Sequence, residues 1–161
     1  MRKAPKFIIA RLQGKAVGGG VGLACAADYS FALEHASVKL SELALGIGPF
    51  VVGPAVERKI GMAAFASLTI NASEWHSAEW AKQNGLYAQT FSSIEEMDTA
   101  IEKLTAQLSA GNPEAMRELK KNFWQGTEHW DELLFQRAEI SGRLVLSEYT
   151  RQAIENFKAK K

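Results

Sequence analysis

Three consecutive glycines, Gly18-Gly19-Gly20, stand directly before the apolar run Val21-Gly22-Leu23-Ala24-Cys25-Ala26-Ala27. Glycine loses more backbone freedom on folding than any other residue, so a triplet in an ordered segment answers a need that a side chain would defeat. One such need is a close approach of backbone N–H groups to a small negative charge, with a following helix adding its positive end. Tight helix–strand packing, or a loop that requires positive φ, asks for the same residues. The stretch lacks the Gly-Lys-Ser/Thr ending of a phosphate-binding loop. No acidic residue follows at the strand end where a dinucleotide fingerprint needs one.

The flanking residues frame this turn. Phe7-Ile8-Ile9-Ala10-Arg11-Leu12, closed by Gln13-Gly14, reads as a buried strand. Gly18 to Ala27 reads as a glycine turn opening a short helix, Asp28 to Leu33 as a second strand and Ser37 to Leu40 as a third. Strand, crossover and strand within about thirty residues predict a parallel unit. Beyond Pro49 the pattern turns helical. Val56 to Thr69 has helical periodicity broken at Gly61, and Ser77 caps a helix that Gly85 stops. Ile94 to Leu108 shows one apolar face, Asn112-Pro113 opens a further helix, and Trp130 to Leu146 and Glu148 to Lys158 complete the series. The expected architecture is α/β: a partial sheet core over 1–70 that holds the glycine turn, read below as ββα on a family resemblance, then a helical region over 71–161. Only two or three strands are expected, all near the front. A parallel sheet that small leaves faces and edges uncovered, so further strands are expected from outside this sequence.

At 161 residues the chain suits one domain, and its net charge of +1 carries no electrostatic footprint for nucleic acid or an anionic membrane. Lys158, Lys160 and Lys161 read as a solvated basic tail. No run reaches the length of a membrane span, and the first residues do not resemble a secretory leader, so a cytoplasmic protein is expected. Cys25 is the single cysteine, which excludes an intrachain disulfide and a cysteine metal cluster; a buried, inert thiol is expected. His35 and His129 lack ligand spacing, and no metal site is expected. His76 reads as a surface or hydrogen-bonded polar group, and the four tryptophans as packing residues. Arg58-Lys59 reads either as a phosphate contact or as a solvated helix face.

Glu42 is the acidic residue that matters most. It lies in the largely apolar stretch Leu40-Ser41-Glu42-Leu43-Ala44-Leu45, where desolvation would raise its pKa toward the range useful for proton transfer. A surface carboxylate or a helix-capping group is the alternative. Together, "GKAVGGGVGLACAADYSFA" and "ASVKLSELALGIGP" resemble the signature of the enoyl-CoA hydratase/isomerase (crotonase) superfamily, and "INASEWHSAEWAKQNGLY" is similar to a later helix-turn of that family. The end of the chain, through Ser147, Ala153 and Phe157, resembles its trimerisation helices. The resemblance covers practically the whole chain and is read as one to the C-terminal two-thirds of a family member only.

The resemblance implies a crotonase-like ββα spiral, assembled as a homotrimer or hexamer, that binds an acyl-CoA thioester. Coenzyme A is then part of the substrate, and no separate cofactor is implied. Two backbone N–H groups stabilise a thioester enolate in this family, and by position Gly19 supplies one of them. Glu42 matches a catalytic glutamate. Gly18, Gly20 and Gly22 are implied as substrate-binding neighbours, with Pro49 and Phe50 beside an acyl pocket. There are two departures. The first of the two glutamates of family hydratases falls at Gly22, leaving one carboxylate, as in the family's double-bond isomerases. The family's N-terminal part, with the second oxyanion donor and most of the adenine pocket, is not in this sequence, which implies a fragment. The competing expectation is therefore a catalytically inactive fragment or degenerate homologue that keeps only an assembly role.

Overall fold

In the computed structural model, which describes residues 1–159, the chain passes through two short strands, β1 (Ile9–Leu12) and β2 (Lys15–Val17), and returns along helix α1 (Gly19–Ala26). It then repeats the motion with β3 (Tyr29–Leu33), β4 (Ser37–Lys39) and α2 (Gly53–Ile70). Each strand pairs in parallel with its counterpart one turn later, Ile9 opposite Tyr29 and Lys15 opposite Ser37. Stacked turns of this kind make a ββα spiral. Lys160 and Lys161 of the expected basic tail lie outside the described residues.

The next stretch supplies β5 (His76–Ser77), α3 (Ala78–Gln83) and β6 (Gln89–Phe91). β6 joins β3 in parallel, and β5 joins β4 antiparallel, giving two three-stranded sheets ordered β1-β3-β6 and β2-β4-β5. Helices α4 (Ile94–Ser109), α5 (Pro113–Phe123), α6 (Trp130–Val145) and α7 (Glu148–Ala159) follow. The expectation of two or three strands near the front is thus corrected to six among the described residues. β2, β5 and β6 have two or three residues each, too few to write an alternation into the sequence.

The helix boundaries follow the local chemistry. The Ser77 side chain accepts from Trp80 N at 3.1 Å, and Gly85 takes φ 78° just past the end of α3. Asn112 Oδ1 accepts from Glu114 N at 2.9 Å with Pro113 in the first turn of α5. Gly61, at φ 76°, breaks α2 where its periodicity is broken.

α1 is apolar nearly all round because it is enclosed: Val21, Gly22, Ala24 and Cys25 are buried, and only Leu23 is well exposed on its apolar side chains. It packs with Val38, Leu40, Val56, Ile60 and Leu68 in the main core, while Phe31, Leu33 and Met97 seat α4 against the other sheet. Desolvation pushes the buried Cys25 thiol up to about 12, which leaves it the inert packing residue expected.

One buried carboxylate ties α5 to the front of the chain. Asp28 Oδ2 accepts from Ile8 N at 2.8 Å and from Lys120 Nζ at 2.5 Å, and its Oδ1 accepts from Trp124 Nε1 at 3.2 Å. The Asp28 and Lys120 side chains are only 5% and 3% exposed, so neither charge has water to fall back on. Removing one member of a buried pair strands the other, at about 3–5 kcal/mol. Lys120→Ala is therefore expected to lower stability by about that amount in urea denaturation. Lys121→Ala, which breaks the exposed pair with Glu118, is expected to leave the midpoint unchanged.

Candidate active site

Gly18 is the N-cap of α1, at φ 53° and ψ −114°. Its N–H donates to Lys39 O at 3.0 Å, and its carbonyl accepts from Gly22 N at 3.1 Å, so it ties β4 to the first turn of α1. A Cβ built on Gly18 would stand 2.9 Å from Glu42 Oε1. Positive φ and the nearness of a carboxyl both exclude a side chain here.

The other glycines meet different demands. Gly22 is buried, and a Cβ on it would lie 2.6 Å from Val52 Cγ1, so this glycine is a packing contact between α1 and the start of α2. Gly19 and Gly20 are exposed; nothing lies within 4 Å of a Cβ on Gly19, and only Ala16 Cβ, at 3.7 Å, near one on Gly20. The amides of Gly19, Gly20 and Val21 are the first three of the helix, where no intrahelical carbonyl can reach, and no side chain caps them. The alternatives open at the sequence level therefore separate by position: φ at Gly18, packing at Gly22, an open amide face at Gly19 and Gly20.

Glu42 begins a single 3-10 turn, Leu43–Leu45, and its carbonyl accepts from Leu45 N at 3.1 Å and Ile47 N at 3.0 Å. Gly46 closes the turn at φ 77°. The half-buried carboxyl has one oxygen, Oε2, out of contact with water and without a hydrogen-bond partner. Burial raises its pKa, opposed more weakly by its own backbone N–H. α7 braces this turn from outside: Thr150 is fully buried and its Oγ1 donates to Gly46 O at 3.4 Å. Beside the turn opens a cavity of about 570 Å³ lined by Val17, Lys39, Ser41, Leu45 and Trp75 among others. Lys15 and Lys39 hold their ammonium groups 4.8 and 5.1 Å from the centre of the Trp75 ring.

The remaining candidates fall as follows. Pro49 is buried and its carbonyl accepts from Gly53 N at 2.7 Å, starting α2. Phe50 folds its ring over Gly48, 2.6 Å from where a Cβ would be. Arg58 and Lys59 are half-buried and already engaged: Arg58 donates to Phe123 O and lies 3.9 Å over the Trp124 ring, and Lys59 donates to Ala27 O and Asp28 O, both at 3.2 Å. His76 is not a surface group; its Nε2 is buried without a partner and its ring sits 4.2 Å from that of Trp80. Val52, Thr150 and Tyr149 shape the surroundings of Gly22 and Gly46, yet nothing local in the sequence marks them.

The family model for enoyl-CoA hydratase/isomerase matches residues 1–160. The chain belongs to the enoyl-CoA hydratase/isomerase family. It is 37% identical over 116 residues to carnitinyl-CoA dehydratase of Salmonella paratyphi A, covering 72% of this chain and 44% of that protein. It is 28% identical over 138 residues to the mitochondrial Delta(3,5)-Delta(2,4)-dienoyl-CoA isomerase of Pongo abelii, covering 80% and 40%. The crystal structure of an enoyl-CoA hydratase from Mycobacterium avium superposes with a TM-score of 0.90 at 25% identity, covering 99% of this chain and 62% of that one. An enoyl-CoA hydratase from Shewanella pealeana gives a TM-score of 0.71 at 28% identity, covering 99% and 60%. The fold is the crotonase fold. The chain spans less than half the length of these curated relatives and under two-thirds of these solved chains. The family match itself runs the length of the chain, and a likeness confined to a C-terminal two-thirds is not borne out.

The packing role of Gly22 has a direct test. Gly22→Ala places a methyl inside Val52 and is expected to cost about 1–3 kcal/mol. Gly22→Ala combined with Val52→Ala is expected to recover part of that loss, giving a non-additive double-mutant cycle by chemical denaturation.

Proposed function

We propose that the protein carrying this chain is an acyl-CoA enzyme in which the Gly19 N–H receives the negative charge of a thioester enolate and Glu42 is its single acid/base. The observation that carries this reading is the approach of Glu42 Oε1 to the Gly18 turn, with Oε2 unpartnered. The uncapped amides at the α1 N-terminus add partial positive charge in the same place. A backbone donor aimed at a developing oxyanion contributes roughly 3–4 kcal/mol to the transition state.

In this reading ionised Glu42 takes a proton from a carbon of the thioester's acyl chain. The C–H electron pair moves into the chain, and the carbonyl oxygen becomes an enolate oxygen held by the Gly19 N–H. Return of the proton from Glu42 to a different carbon restores the thioester with its double bond moved. Burial serves this chemistry, because a raised pKa makes Glu42 a better base when ionised and a usable acid when protonated. Gly22 offers no side chain, and Val52 occupies the space where one would begin. This supports double-bond isomerisation, or hydration by one glutamate, over chemistry that needs two carboxylates. Gly18, Gly20, Gly22, Pro49 and Phe50 are read as lining the substrate, which supplies coenzyme A itself.

We also infer a homotrimer or hexamer. Phe135, Leu146 and Tyr149 on α6 and α7 are 76%, 67% and 72% exposed, large apolar areas that association would cover. No described helix is long and apolar enough to cross a membrane. A cytoplasmic location is part of the same proposal.

The test is turnover of a panel of 2- and 3-enoyl-CoA thioesters by the whole protein and its Glu42→Gln variant. The variant is expected to lose about 10²–10⁴-fold in kcat while still binding the thioester. Base catalysis needs ionised Glu42, so kcat/KM in the parent is expected to fall with decreasing pH through a pKa above the ordinary glutamate range, and that limb is expected to vanish in the variant. Unchanged turnover in Glu42→Gln would remove Glu42 from the mechanism. Intact assembly without turnover of any thioester would favour an inactive homologue.

A further inference from the structure

At the C-terminal end of α1, about 12 Å along the helix from the Gly18 turn, a separate opening of about 450 Å³ is lined by Ala27, Asp28, Arg58, Lys59, Gly85 and Phe123. Two neighbouring cations of α2 are drawn there by the carbonyl ends of two other helices. Lys59 Nζ donates to Ala27 O and Asp28 O, and Arg58 donates to Phe123 O at the end of α5. Helix C-termini carry only partial negative charge, so these bonds do not neutralise either side chain.

The charges do not balance locally. Arg58, Lys59 and Lys120 are three cations, and Asp28 is the single carboxylate among them. Its two oxygens already accept from Ile8 N, Lys120 Nζ and Trp124 Nε1. Two positive charges therefore remain. Arg58 Nη1 and one N–H of Lys59 carry no hydrogen bond among the described residues. Burial lowers the pKa of both Arg58 and Lys59 more than the neighbouring Asp28 charge raises them, the situation that a bound anion relieves.

We propose that this opening is a binding site for a phosphate group, held between the Arg58 guanidinium and the Lys59 ammonium. A phosphate dianion matches the two uncompensated charges, and its tetrahedral oxygens accept from a guanidinium and an ammonium together. The site is distinct from the Glu42 centre: it lies at the opposite end of α1 and does not depend on the acyl-CoA reading.

The experiment is a ¹H–¹⁵N titration of the chain with inorganic phosphate at constant ionic strength, with chloride as the comparison anion. Saturable shifts centred on the amides of Ala27, Lys59 and Gly85 are expected with phosphate alone. Arg58→Gln and Lys59→Met are each expected to weaken phosphate about tenfold or more, the loss of one charge-assisted contact. Lys15→Met, beside Trp75, is expected to leave it unchanged. Arg58 and Lys59 also hold helix ends, so circular dichroism checks each variant. If a neutral variant does not fold, Arg58→Lys, which keeps the charge, and the wild-type titration decide the matter. A parallel arm uses glycerol 3-phosphate: equal or tighter binding supports a phosphate carried on a larger molecule, and weaker binding supports the free ion. Non-saturable shifts, equal shifts with chloride, or folded neutral variants that bind as the wild type does would each overturn the site.

Discussion

The two halves of this molecule are joined at Asp28. Its carboxylate fixes the start of β1 through Ile8 N and reaches α5 through Lys120 and Trp124, residues more than ninety positions away in the chain. Exposed contacts, the Arg11–Asp98 pair and the Arg58 bond to Phe123 O, and the apolar Phe31–Leu33–Met97 cluster hold the same side of the molecule to the spiral. An ion pair so deeply buried adds less to stability than its Coulomb energy suggests, because both charges lose their water. What it contributes is register. A carboxylate satisfied by three donors, one beside β1 and two from α5 and its C-cap, accepts no slipped arrangement, since any slip leaves a charge stranded.

The candidate active site depends on that register in a less direct way. α1 is held at both ends, by Gly18 against Lys39 O and by Lys59 against Ala27 O, so its N-terminus has a defined position beneath the 3-10 turn that carries Glu42. The same turn is held from outside by α7 through Thr150 and Gly46. The turn that carries Glu42 is thus held between a glycine that cannot take a side chain, next to the carboxyl, and a helix from the far end of the chain, which meets it at Gly46. Confinement of this sort raises the carboxyl's pKa and fixes its aim at once.

Much of this was legible in advance, and for local reasons. The caps at Ser77 and Asn112, the stop at Gly85 and the break at Gly61 each follow from a residue and its near neighbours, and the structure keeps all four. The parallel pairing of β1 with β3 followed from the length of the crossover between them. β2, β5 and β6 were not legible, because two or three residues cannot display a period. Arg58 and Lys59 looked like a solvated face or a phosphate contact, since their helix positions do not reveal that two other helices end against them. His76 likewise gave no sign that it would pair with Val38 in a strand and lay its ring against Trp80.

The sequence by itself determined a parallel strand–crossover–strand unit at the front, the helix limits, a glycine turn at the head of an apolar helix and one carboxylate in an apolar stretch. Each is a property of residues within a few positions of one another, where propensity, periodicity and capping act. Only the tertiary structure decided that the glycines serve different ends: Gly18 beside Glu42, Gly22 against Val52, Gly19 and Gly20 facing open space. Adjacent glycines are chemically identical, and what distinguishes them is the side chain that arrives from elsewhere. That arrival is set by the packing of α2 and the Glu42 turn against α1, which no pattern of neighbours encodes.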